Sequence, residues 1–231
     1  MSYAIAIDGP AGAGKSTIAR RIAERLKILY LDTGAMYRAI GYAAVTQGIS
    51  PRDAVAVAKM LEQTELEIAF VDNSQRVILN GNDVTGLIRT PEMSRAASDI
   101  SALPVVRQYL VERQRELASV QPLVMDGRDI GSYVLPDAPC KFFLTATPNE
   151  RARRRLSDLR HAGDEVSTLE NVLDDIVYRD HQDSTRSMAP LVQAADAILV
   201  DTTNLTIEQV VETLLQEINK KSAKNERDGN G

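Results

Sequence analysis

Residues 9–17 combine glycines, a lysine and a hydroxyl side chain in the order that can bind a polyphosphate. The stretch matches the pattern G-x-x-x-x-G-K-[ST] through Gly9, Gly14, Lys15 and Ser16. Glycines let the backbone wrap around a phosphate, so that several N–H groups converge on the anion at a helix N-terminus. Lys15 adds a mobile positive charge for the β and γ phosphates, and Ser16 offers a hydroxyl to Mg²⁺. The motif therefore predicts a nucleoside triphosphate site made of Gly9, Pro10, Ala11, Gly12, Ala13, Gly14, Lys15, Ser16 and Thr17.

The residues on either side of this loop form the elements that would hold it in place. Residues 3–8 are an apolar run of strand length that ends where the loop begins. After the loop, Ile18, Ile22 and Leu26 recur at four-residue spacing, which predicts a helix that buries one face. A strand, a glycine-rich turn and a helix are the context that the motif requires. The flanks therefore favour a triphosphate site over a chance match.

Arginines follow the ends of other predicted strands. Arg38 and Arg128 each come shortly after such a strand. Arg179 and Arg186 lie on either side of Asp183, before the last one. A transfer between two phosphorylated substrates brings several negative charges together, and a guanidinium fork neutralises them without losing its proton. A single arginine is as readily explained by a solvated helix face, but Arg38 and Arg128 together favour an anionic acceptor.

Five short apolar segments that alternate with helical patterns predict the fold. The strands are expected at residues 3–8, 28–31, 123–125, 141–146 and 196–201. We therefore predict an α/β P-loop NTPase fold, with a five-stranded parallel sheet and helices on both of its faces. The ligands would lie at the carboxyl ends of the strands. Ser50 and Pro51 predict the start of a further helix.

The alternation changes in the middle of the chain, where we predict a small antiparallel insertion. Leu66, Ile68 and Phe70 alternate with other residues as in a half-buried strand, and Asn80-Gly81 is a strong hairpin turn. Beyond Asn219 the composition changes to Lys, Asn, Ser and Gly. We divide the chain into a P-loop core at residues 1–61 and 96–219, an insertion at 62–95, and a tail at 220–231 that we expect to be disordered.

The composition narrows the class of protein. The 231 residues, of which 44% are hydrophobic and 26% charged, suffice for one buried core. The 27 basic and 32 acidic residues give a net charge of −5, which argues against a nucleic-acid polymer or an anionic membrane as a partner. Cys140 is the only cysteine, so a disulfide framework and a thiolate metal site are excluded. Without a long uncharged apolar run or an apolar leader, we expect a cytoplasmic protein.

Short motifs continue along the chain beyond the P-loop. They are Leu31-Asp-Thr-Gly-Ala-Met-Tyr-Arg38, Ile88-Arg-Thr90, Ala96-Ala-Ser98, Val106-Arg107, Asp126-Gly-Arg-Asp-Ile-Gly131, Arg179-Asp180, Asp183, Arg186 and Ala189-Pro-Leu191. In this order and spacing, the chain resembles the bacterial cytidylate kinases, a family of nucleoside monophosphate kinases, from about Ile5 to Ile218. The resemblance implies that ATP phosphorylates CMP and dCMP to CDP and dCDP with Mg²⁺, in pyrimidine nucleotide metabolism. It also implies a monomer.

The resemblance implies roles for the residues around the phosphates. Lys15 and the loop amides would hold the donor phosphates. Arg38, Arg128 and Arg186 would contact the acceptor monophosphate or the migrating phosphoryl group. Asp126 ends an apolar strand and resembles a Walker B aspartate, which positions Mg²⁺ through water, while Ser16 would bind the ion directly. The alternative for Asp126 is a turn carboxylate that caps backbone N–H groups. The residues that would carry catalysis are Lys15, Asp126, Arg128 and Arg186.

The same resemblance implies how the acceptor nucleoside is read. Ser98, Arg107 and Asp129 would contact the cytosine edge. A carboxylate or hydroxyl can accept from the exocyclic amine of cytosine, and an arginine can donate to the ring acceptors. The remaining roles are for Arg179 and Asp183 at the sugar, for Thr33, which stands where the family often has serine, and for Arg153 and Arg154 in a short arginine-rich lid at residues 151–166.

Two other functions remain open from the residues alone. One is a P-loop kinase for another small acceptor, such as a sugar acid, shikimate or a different nucleotide. The other is a nucleotide-binding switch that transfers no phosphate to a small molecule. The guanine-reading motif Asn-Lys-x-Asp is absent from the sequence, and a switch would leave the arginines after the strand ends unexplained.

Overall fold

A computed structural model, which describes residues 3–161 and 163–228, contains eight strands and eight α-helices. The strands are β1 (Ala4–Asp8), β2 (Leu29–Asp32), β3 (Leu66–Val71), β4 (Ser74–Leu79), β5 (Asn82–Asp83), β6 (Leu123–Gly127), β7 (Cys140–Thr145) and β8 (Ile198–Asp201). The helices are α1 (Lys15–Leu26), α2 (Thr33–Thr46), α3 (Ala54–Leu61), α4 (Pro91–Ile100), α5 (Pro104–Val120), α6 (Pro148–His161), α7 (Leu169–Thr185) and α8 (Ile207–Asp228). A single 3₁₀ turn (Leu87–Arg89) and a π-helical turn (Ile130–Val134) complete the described elements.

Five of the strands form one parallel sheet in the order β2-β6-β1-β7-β8. The register places Asp8 opposite Gly127 and Asp32 opposite Asp126. The loops after β1, β2 and β6 therefore open at the same edge of the sheet. This is the edge at which open parallel sheets bind their ligands.

Helices cover both faces of this sheet, because successive strand residues point to opposite sides. Ala6, Leu31 and Met125 belong to a buried cluster with residues of α2, α3 and α5. Ile7 and Val124 belong to a second cluster with residues of α1 and α8. The prediction of an α/β fold with a five-stranded parallel sheet between helices is confirmed.

The small antiparallel sheet is also present, in the order β3-β4-β5. Leu66 pairs with Leu79 and Ile68 pairs with Val77. Val77 is fully buried and packs in the same cluster as α2, so the small sheet is attached to the larger one through apolar contacts. The sheet lies within residues 62–95, but α4 runs across residue 95. The division of the chain into a core and an insertion at these boundaries stays a prediction.

The start of α3 differs from the prediction. The helix begins at Ala54, and Asp53 caps it by accepting hydrogen bonds from the N–H groups of Val55 and Ala56 at 3.1 and 3.0 Å. The Asp53 N–H in turn donates to the Ser50 carbonyl at 3.0 Å, which closes a turn before the helix. Ser50 and Pro51 therefore belong to this turn, since the carboxylate of Asp53 is the better-placed cap.

The last helix, α8, extends into the segment from residue 220 onward, and the assignment of that segment as a disordered tail stays a prediction. A capping box starts the helix: Thr206 N–H donates to Gln209 Oε1 at 2.8 Å, and Gln209 N–H donates to Thr206 Oγ1 at 3.2 Å. The helix continues to Asp228 because the sequence contains no glycine or proline between Asn219 and Gly229. Residues 229–231 of the predicted tail lie outside the described residues. None of the helices in the described part of the chain has the length and apolarity to cross a membrane.

Candidate active site

A cleft of about 810 Å³ opens at the carboxyl edge of the parallel sheet. Most of the predicted site residues line it, namely Ala11, Gly12, Ala13, Gly14, Lys15, Ser16, Thr17, Thr33, Arg38, Ser98, Arg107, Asp126, Arg128, Asp129, Arg154, Arg179, Asp183 and Arg186. Gly9, Pro10 and Arg153 are not among the lining residues. Residues separated by more than 150 positions in the chain are thus brought together in one cavity.

The P-loop has the geometry of an anion site. Gly9 has a φ of +145°, and a Cβ added there would lie 2.0 Å from the carbonyl oxygen of Leu144. Only glycine fits at this contact. Gly9 is therefore required for the shape of the loop, although it does not line the cleft. Gly14 has a φ of +85° and precedes α1 without a side-chain cap, so the first N–H groups of α1 are available to a ligand. Lys15 Nζ donates to the Pro10 carbonyl at 2.7 Å across the loop.

The electrostatic environment of Lys15 is incomplete without an anion. Burial lowers its pKa well below the ordinary value for lysine, and the positive charge of Arg128 lowers it further. Asp126, Asp183 and Asp8 act in the opposite direction without cancelling this effect. A polyphosphate in the loop would restore the charge of the ammonium group. This arrangement fits a lysine whose counter-ion is a ligand.

Ser16 and Asp126 present oxygen atoms beside the P-loop. Ser16 Oγ donates to Asp126 Oδ2 at 2.8 Å, and Tyr30 Oη donates to Asp126 Oδ1 at 2.9 Å. Burial raises the pKa of Asp126, and the Asp32 carboxylate raises it further. Its oxygens accept from hydroxyl groups rather than from the backbone N–H groups of a turn. Mg²⁺ prefers oxygen ligands of this kind, supplemented by substrate phosphates, and the described residues contain no group of three His, Cys, Asp or Glu side chains that could hold a metal by themselves.

Asp32 connects the end of β2 with two arginines. It caps α2 by accepting from Ala35 N–H at 2.9 Å, and it pairs with Arg38 Nη2 and Arg89 Nη1, each at 2.8 Å. Burial raises the pKa of Asp32, but the charges of Arg38 and Arg89 outweigh burial, so the net shift is downward. The backbone N–H of Asp32 donates to Gln75 of β4 at 2.7 Å. One buried carboxylate therefore caps α2 and holds Arg38 in the cleft.

Asp129 joins two buried arginines at the acceptor side of the cleft. It accepts hydrogen bonds from Arg107 Nη2 and, at 3.1 Å, from Arg186 Nη2. The Arg107 guanidinium carbon lies 5.6 Å from the centre of the Tyr37 ring. Ser98 Oγ and Arg107 Nε are buried without a hydrogen-bond partner. Such atoms are rare in folded proteins, and their location in the cleft marks them as atoms that a ligand could satisfy.

A second carboxylate, Asp183, organises the arginines next to this group. Arg128 Nε donates to Asp183 Oδ2 at 2.8 Å, and Arg186 Nη1 lies 3.7 Å from Asp183 Oδ1. Burial raises the pKa of Asp183, but Arg128 and Arg186 outweigh it and the net shift is downward. Burial and the charge of Arg128 lower the pKa of Arg179 to about 10, and its buried Nε has no partner. An anion would stabilise Arg179 in its charged form.

Thr33 makes a hydrogen bond that the sequence did not indicate. Its Oγ1 donates to the backbone carbonyl of Asp126 at 2.7 Å. The hydroxyl therefore connects the β2–α2 junction to the end of β6, and Thr33 also lines the cleft.

The arginines of α6 have different positions from those expected for the lid. Arg154 lines the cleft and donates to Thr202 Oγ1 at 2.9 Å. Arg153, by contrast, is 67% exposed and lies near Glu150 outside the cleft. Arg155 lines the cleft instead. Arg151 is buried, where it donates to the Ala11 carbonyl at 3.0 Å and pairs with Asp180 at 2.7 Å, so it fastens the P-loop to α6 and α7.

At its far end the cleft is lined by Gly14 and Arg154, which the sequence predicted, and by two groups that it did not indicate, the turn at residues 202–207 and Val210 of α8. The turn follows β8 directly, and Thr202 N–H donates to the Thr145 carbonyl at 2.8 Å. The position of this turn after the last parallel strand could have identified it as part of the site, since ligands bind at strand ends in such sheets.

Asp8 is a further residue near the cleft that the sequence analysis did not single out. It is 4% exposed and accepts from the N–H groups of Ile130 and Gly131, each at 2.7 Å. Burial raises its pKa to about 6, although the two N–H groups lower it. Among the described ion pairs none involves Asp8, whereas Asp32, Asp129 and Asp183 each pair with arginine.

We expect Asp8 to make the stability of the protein depend on pH. Because its folded pKa lies above the unfolded value, its contribution to stability is complete below about pH 4 and is lost as the pH rises through about 6. A shift of this size corresponds to roughly 2–3 kcal/mol. Urea unfolding of the natural protein and Asp8→Asn between about pH 4.5 and pH 7.5 measures it. The difference between the two free energies of unfolding should change with pH; parallel curves would contradict the assignment.

Comparison with known proteins shows the family of the chain. A protein with the name cytidylate kinase from Desulfitobacterium hafniense is 54% identical over 217 residues, which cover 94% of this chain and 93% of that protein. One of the same name from Carboxydothermus hydrogenoformans is 50% identical over 218 residues, covering 94% and 98% of the two chains. A gluconokinase from Sinorhizobium meliloti has a similar fold, with a TM-score of 0.53 at 13% identity over 98% of this chain and 97% of that one. The family model for cytidylate kinase matches residues 5–220. The chain therefore belongs to the cytidylate kinase family.

Proposed function

We propose that the protein transfers the γ-phosphoryl group of ATP to CMP and dCMP, with Mg²⁺, giving ADP and CDP or dCDP. The observation that carries this proposal is one cleft that contains a P-loop at one side and buried Ser98, Arg107 and Asp129 at the other. Arg38, Arg128, Arg179 and Arg186 lie in the same cleft. A polyphosphate site, an anion site and a polar pocket for a planar base are the three parts that such a reaction needs.

The acceptor half of the cleft suits a cytidine monophosphate. The Asp129 carboxylate and the Ser98 hydroxyl can accept from the exocyclic amine of cytosine, and Arg107 can donate to its ring acceptors. Arg107 Nε and Ser98 Oγ, which lack partners in the protein, would gain them from the base. We place the sugar near Arg179 and Asp183, and the phosphate between Arg38, Arg128 and Arg186. Thr33 lies beside this phosphate region.

The donor half suits ATP. The amides of residues 11–17 and Lys15 would bind its phosphates. The adenine would lie at the far end of the cleft, between Arg154 and the turn at residues 202–207. Ser16 would bind Mg²⁺ directly and Asp126 would hold it through water; when bound, the ion neutralises charge on the donor phosphates. We infer that the 62–95 insertion and the 151–166 lid close over both substrates, since water in the cleft would hydrolyse ATP.

The reaction that fits this site is a direct in-line transfer. An oxygen of the CMP phosphate attacks the γ-phosphorus of ATP, and the bond from that phosphorus to the β–γ bridging oxygen breaks, so that ADP leaves with the electron pair. The protein has little covalent chemistry to perform, because catalysis consists mainly of positioning and charge stabilisation. Lys15, Arg128 and Arg186 would stabilise the charge on the migrating group. All of these side chains come from one chain, so we expect a monomer to be active, in the cytoplasm where ATP is supplied.

An acceptor panel with the purified protein tests this function. ADP release from ATP and Mg²⁺ would be measured with CMP, dCMP, UMP, AMP, shikimate and gluconate in turn. CMP and dCMP should give the highest kcat/KM. Preference for shikimate or gluconate would indicate a different small-molecule kinase. ADP release that no acceptor stimulates would favour a nucleotide switch and end the proposal.

Replacing Asp129 by alanine should reduce the selectivity for CMP. The loss of the carboxylate removes an acceptor for the cytosine amine and leaves Arg107 and Arg186 without their shared partner. A charged hydrogen bond contributes about 1.5–3 kcal/mol, so the ratio of kcat/KM for CMP to that for UMP should fall about 10-fold to 100-fold. The ratio is independent of the fraction of folded enzyme. An unchanged ratio would remove Asp129 from base recognition.

The two neighbouring arginines Arg153 and Arg155 form a matched pair for testing the lid. Arg155→Ala removes a charge that lines the cleft, whereas Arg153→Ala removes one that is largely exposed. We expect Arg155→Ala to lower kcat/KM about 10-fold or more, and Arg153→Ala to leave it within about threefold. Steady-state kinetics of both variants makes the comparison. Equal effects would show that the lid acts through its total charge rather than through one positioned arginine.

A further inference from the structure

The carboxylate of Asp8 connects the two halves of the cleft. Asp8 is the last residue of β1 and immediately precedes the P-loop. Its oxygens accept from two consecutive backbone N–H groups, those of Ile130 and Gly131, each at 2.7 Å. These residues follow Arg128 and Asp129 and begin the π-helical turn. The base-reading Asp129 and the phosphate-binding Arg128 thus stand on a backbone segment that Asp8 holds from the P-loop side.

Asp8 supplies the acceptors for the first two N–H groups of the turn, whereas the later N–H groups bond to backbone carbonyls of the same segment. Asp129 precedes the π-helical turn with φ −148° and ψ 24° and provides no side-chain cap, because its carboxylate is used by Arg107 and Arg186. Without Asp8, the first N–H groups of the turn would be buried without an acceptor, which is costly. An added Cβ at Gly131 would lie 3.1 Å from Lys141 Cδ and 3.4 Å from Asp8 Oδ2. The turn therefore lies close both to Asp8 of β1 and to Lys141 of β7.

Asp8 also lacks the compensation that the other buried carboxylates have. No lysine or arginine nitrogen is paired with it in the described residues, and the charged groups that face it are Lys15 of α1 and Asp129. The ammonium of Lys141 on β7, whose side-chain carbons adjoin Gly131, is paired with Asp196 at 2.9 Å. Burial disfavours the charged form of the Asp8 carboxylate, and the two N–H groups offset only part of this effect. Such a group is a poor choice for stability, which favours a role in function.

We propose that Asp8 is a positioning residue for the acceptor nucleotide: through the N–H groups of Ile130 and Gly131 it sets the backbone that carries Arg128 and Asp129. Asp8 does not line the cleft and touches neither substrate in this arrangement. The inference rests on the proposed phosphorylation of CMP. The proposed function states which reaction takes place, whereas the role of Asp8 is to hold the residues that bind the acceptor.

Steady-state kinetics of Asp8→Asn distinguishes positioning from general support of the fold. Asparagine retains the size but can accept from only one of the two N–H groups. We expect the KM for CMP to rise about 10-fold to 100-fold and the CMP to UMP ratio of kcat/KM to fall, while the KM for ATP changes less than about threefold. Asp8→Glu, which keeps the carboxylate, should recover part of the loss. If kcat alone falls, with the KM values and the CMP to UMP ratio unchanged, Asp8 is only structural and the proposal is wrong.

The control for a loosened cap is Asp53→Ala. Asp53 accepts from two backbone N–H groups, those of Val55 and Ala56, but it uses the single oxygen Oδ1 for both and lies outside the cleft. Alanine removes this acceptor, and the variant should retain the kinetics of the natural enzyme. Loss of CMP selectivity in Asp53→Ala as well would show that any loosened cap has this effect, and would overturn the specific role of Asp8.

Amide resonances provide a test that does not depend on activity or on a folded variant. In ¹H–¹⁵N spectra of the natural protein, the resonances of Ile130 and Gly131 should shift together with a midpoint near pH 6, the pKa of Asp8. Amides that do not titrate between about pH 5 and pH 8 would contradict the contact. If the natural protein fails to phosphorylate CMP, the proposed function is wrong; if it succeeds and Asp8→Asn behaves like it, only the role of Asp8 is wrong.

Discussion

Arg128→Ala is expected to lower kcat for CMP about 10²-fold to 10³-fold, the cost of removing one preorganised charge from a transition state. Arg128 is held by Asp183 at 2.8 Å and faces the same cavity as Lys15. In the proposed reaction its guanidinium lies where the negative charge of the γ-phosphoryl group and that of the acceptor meet. The effect should be on kcat more than on the KM for ATP, because the charge that Arg128 stabilises develops during transfer.

Two further variants make this result specific. Arg128→Lys keeps a positive charge but loses the fork that can contact two oxygens, so its kcat should lie between those of the natural enzyme and Arg128→Ala. Arg113→Ala removes an exposed arginine of α5 that pairs with Glu116 at 3.2 Å and should have normal kinetics. Near-normal turnover by Arg128→Ala would exclude the proposed role.

Lys15→Ala is the second change with a large expected effect, again a loss of about 10²-fold to 10³-fold in kcat. Burial and Arg128 hold the pKa of Lys15 below its ordinary value in the free protein, so the ammonium group is costly until phosphates compensate for it. The same change should therefore leave the melting temperature of the free protein unchanged or higher, because a desolvated charge is removed. Activity and stability would move in opposite directions.

The measurement combines steady-state ADP release from ATP with thermal unfolding in the presence and absence of ATP. ATP should stabilise the natural protein more than Lys15→Ala, since at a given concentration a ligand that binds more tightly raises stability more. Lys59→Ala, an exposed lysine of α3 outside the cleft, is the control and should show neither effect. A Lys15→Ala protein that melts earlier and keeps its turnover would contradict both parts of the interpretation.

Local patterns in the sequence determined the elements and the donor site. The P-loop could be predicted because its chemistry requires consecutive residues: glycines that adopt φ values such as +85° at Gly14, and a lysine at the start of a helix. The five parallel strands could be predicted because buried strands are short apolar runs. The start of α3 was wrongly predicted because two local signals compete there, the carboxylate of Asp53 and the hydroxyl of Ser50.

The acceptor site needed more than local patterns. Its residue types were available from the resemblance to a family, and all nine residues assigned to CMP line the cleft. Their partners could not be predicted, since Arg107 and Asp129 are 22 positions apart and Arg128 and Asp183 are 55 positions apart. Which of Arg153 and Arg155 lines the cleft could not be predicted either, because the two residues are of the same type and differ only in the direction in which they project from α6.

Local patterns and residue types thus predicted a triphosphate site on a parallel α/β sheet, with arginines available for a second anion. The tertiary structure alone decided the strand order β2-β6-β1-β7-β8, which brings the ends of β1 and β6 side by side. That adjacency places the Asp8 carboxylate on the N–H groups after Asp129 and makes one cleft of two substrate sites. The physical reason is that strand pairing and burial act between residues distant in the chain, so their result cannot be read from local periodicity.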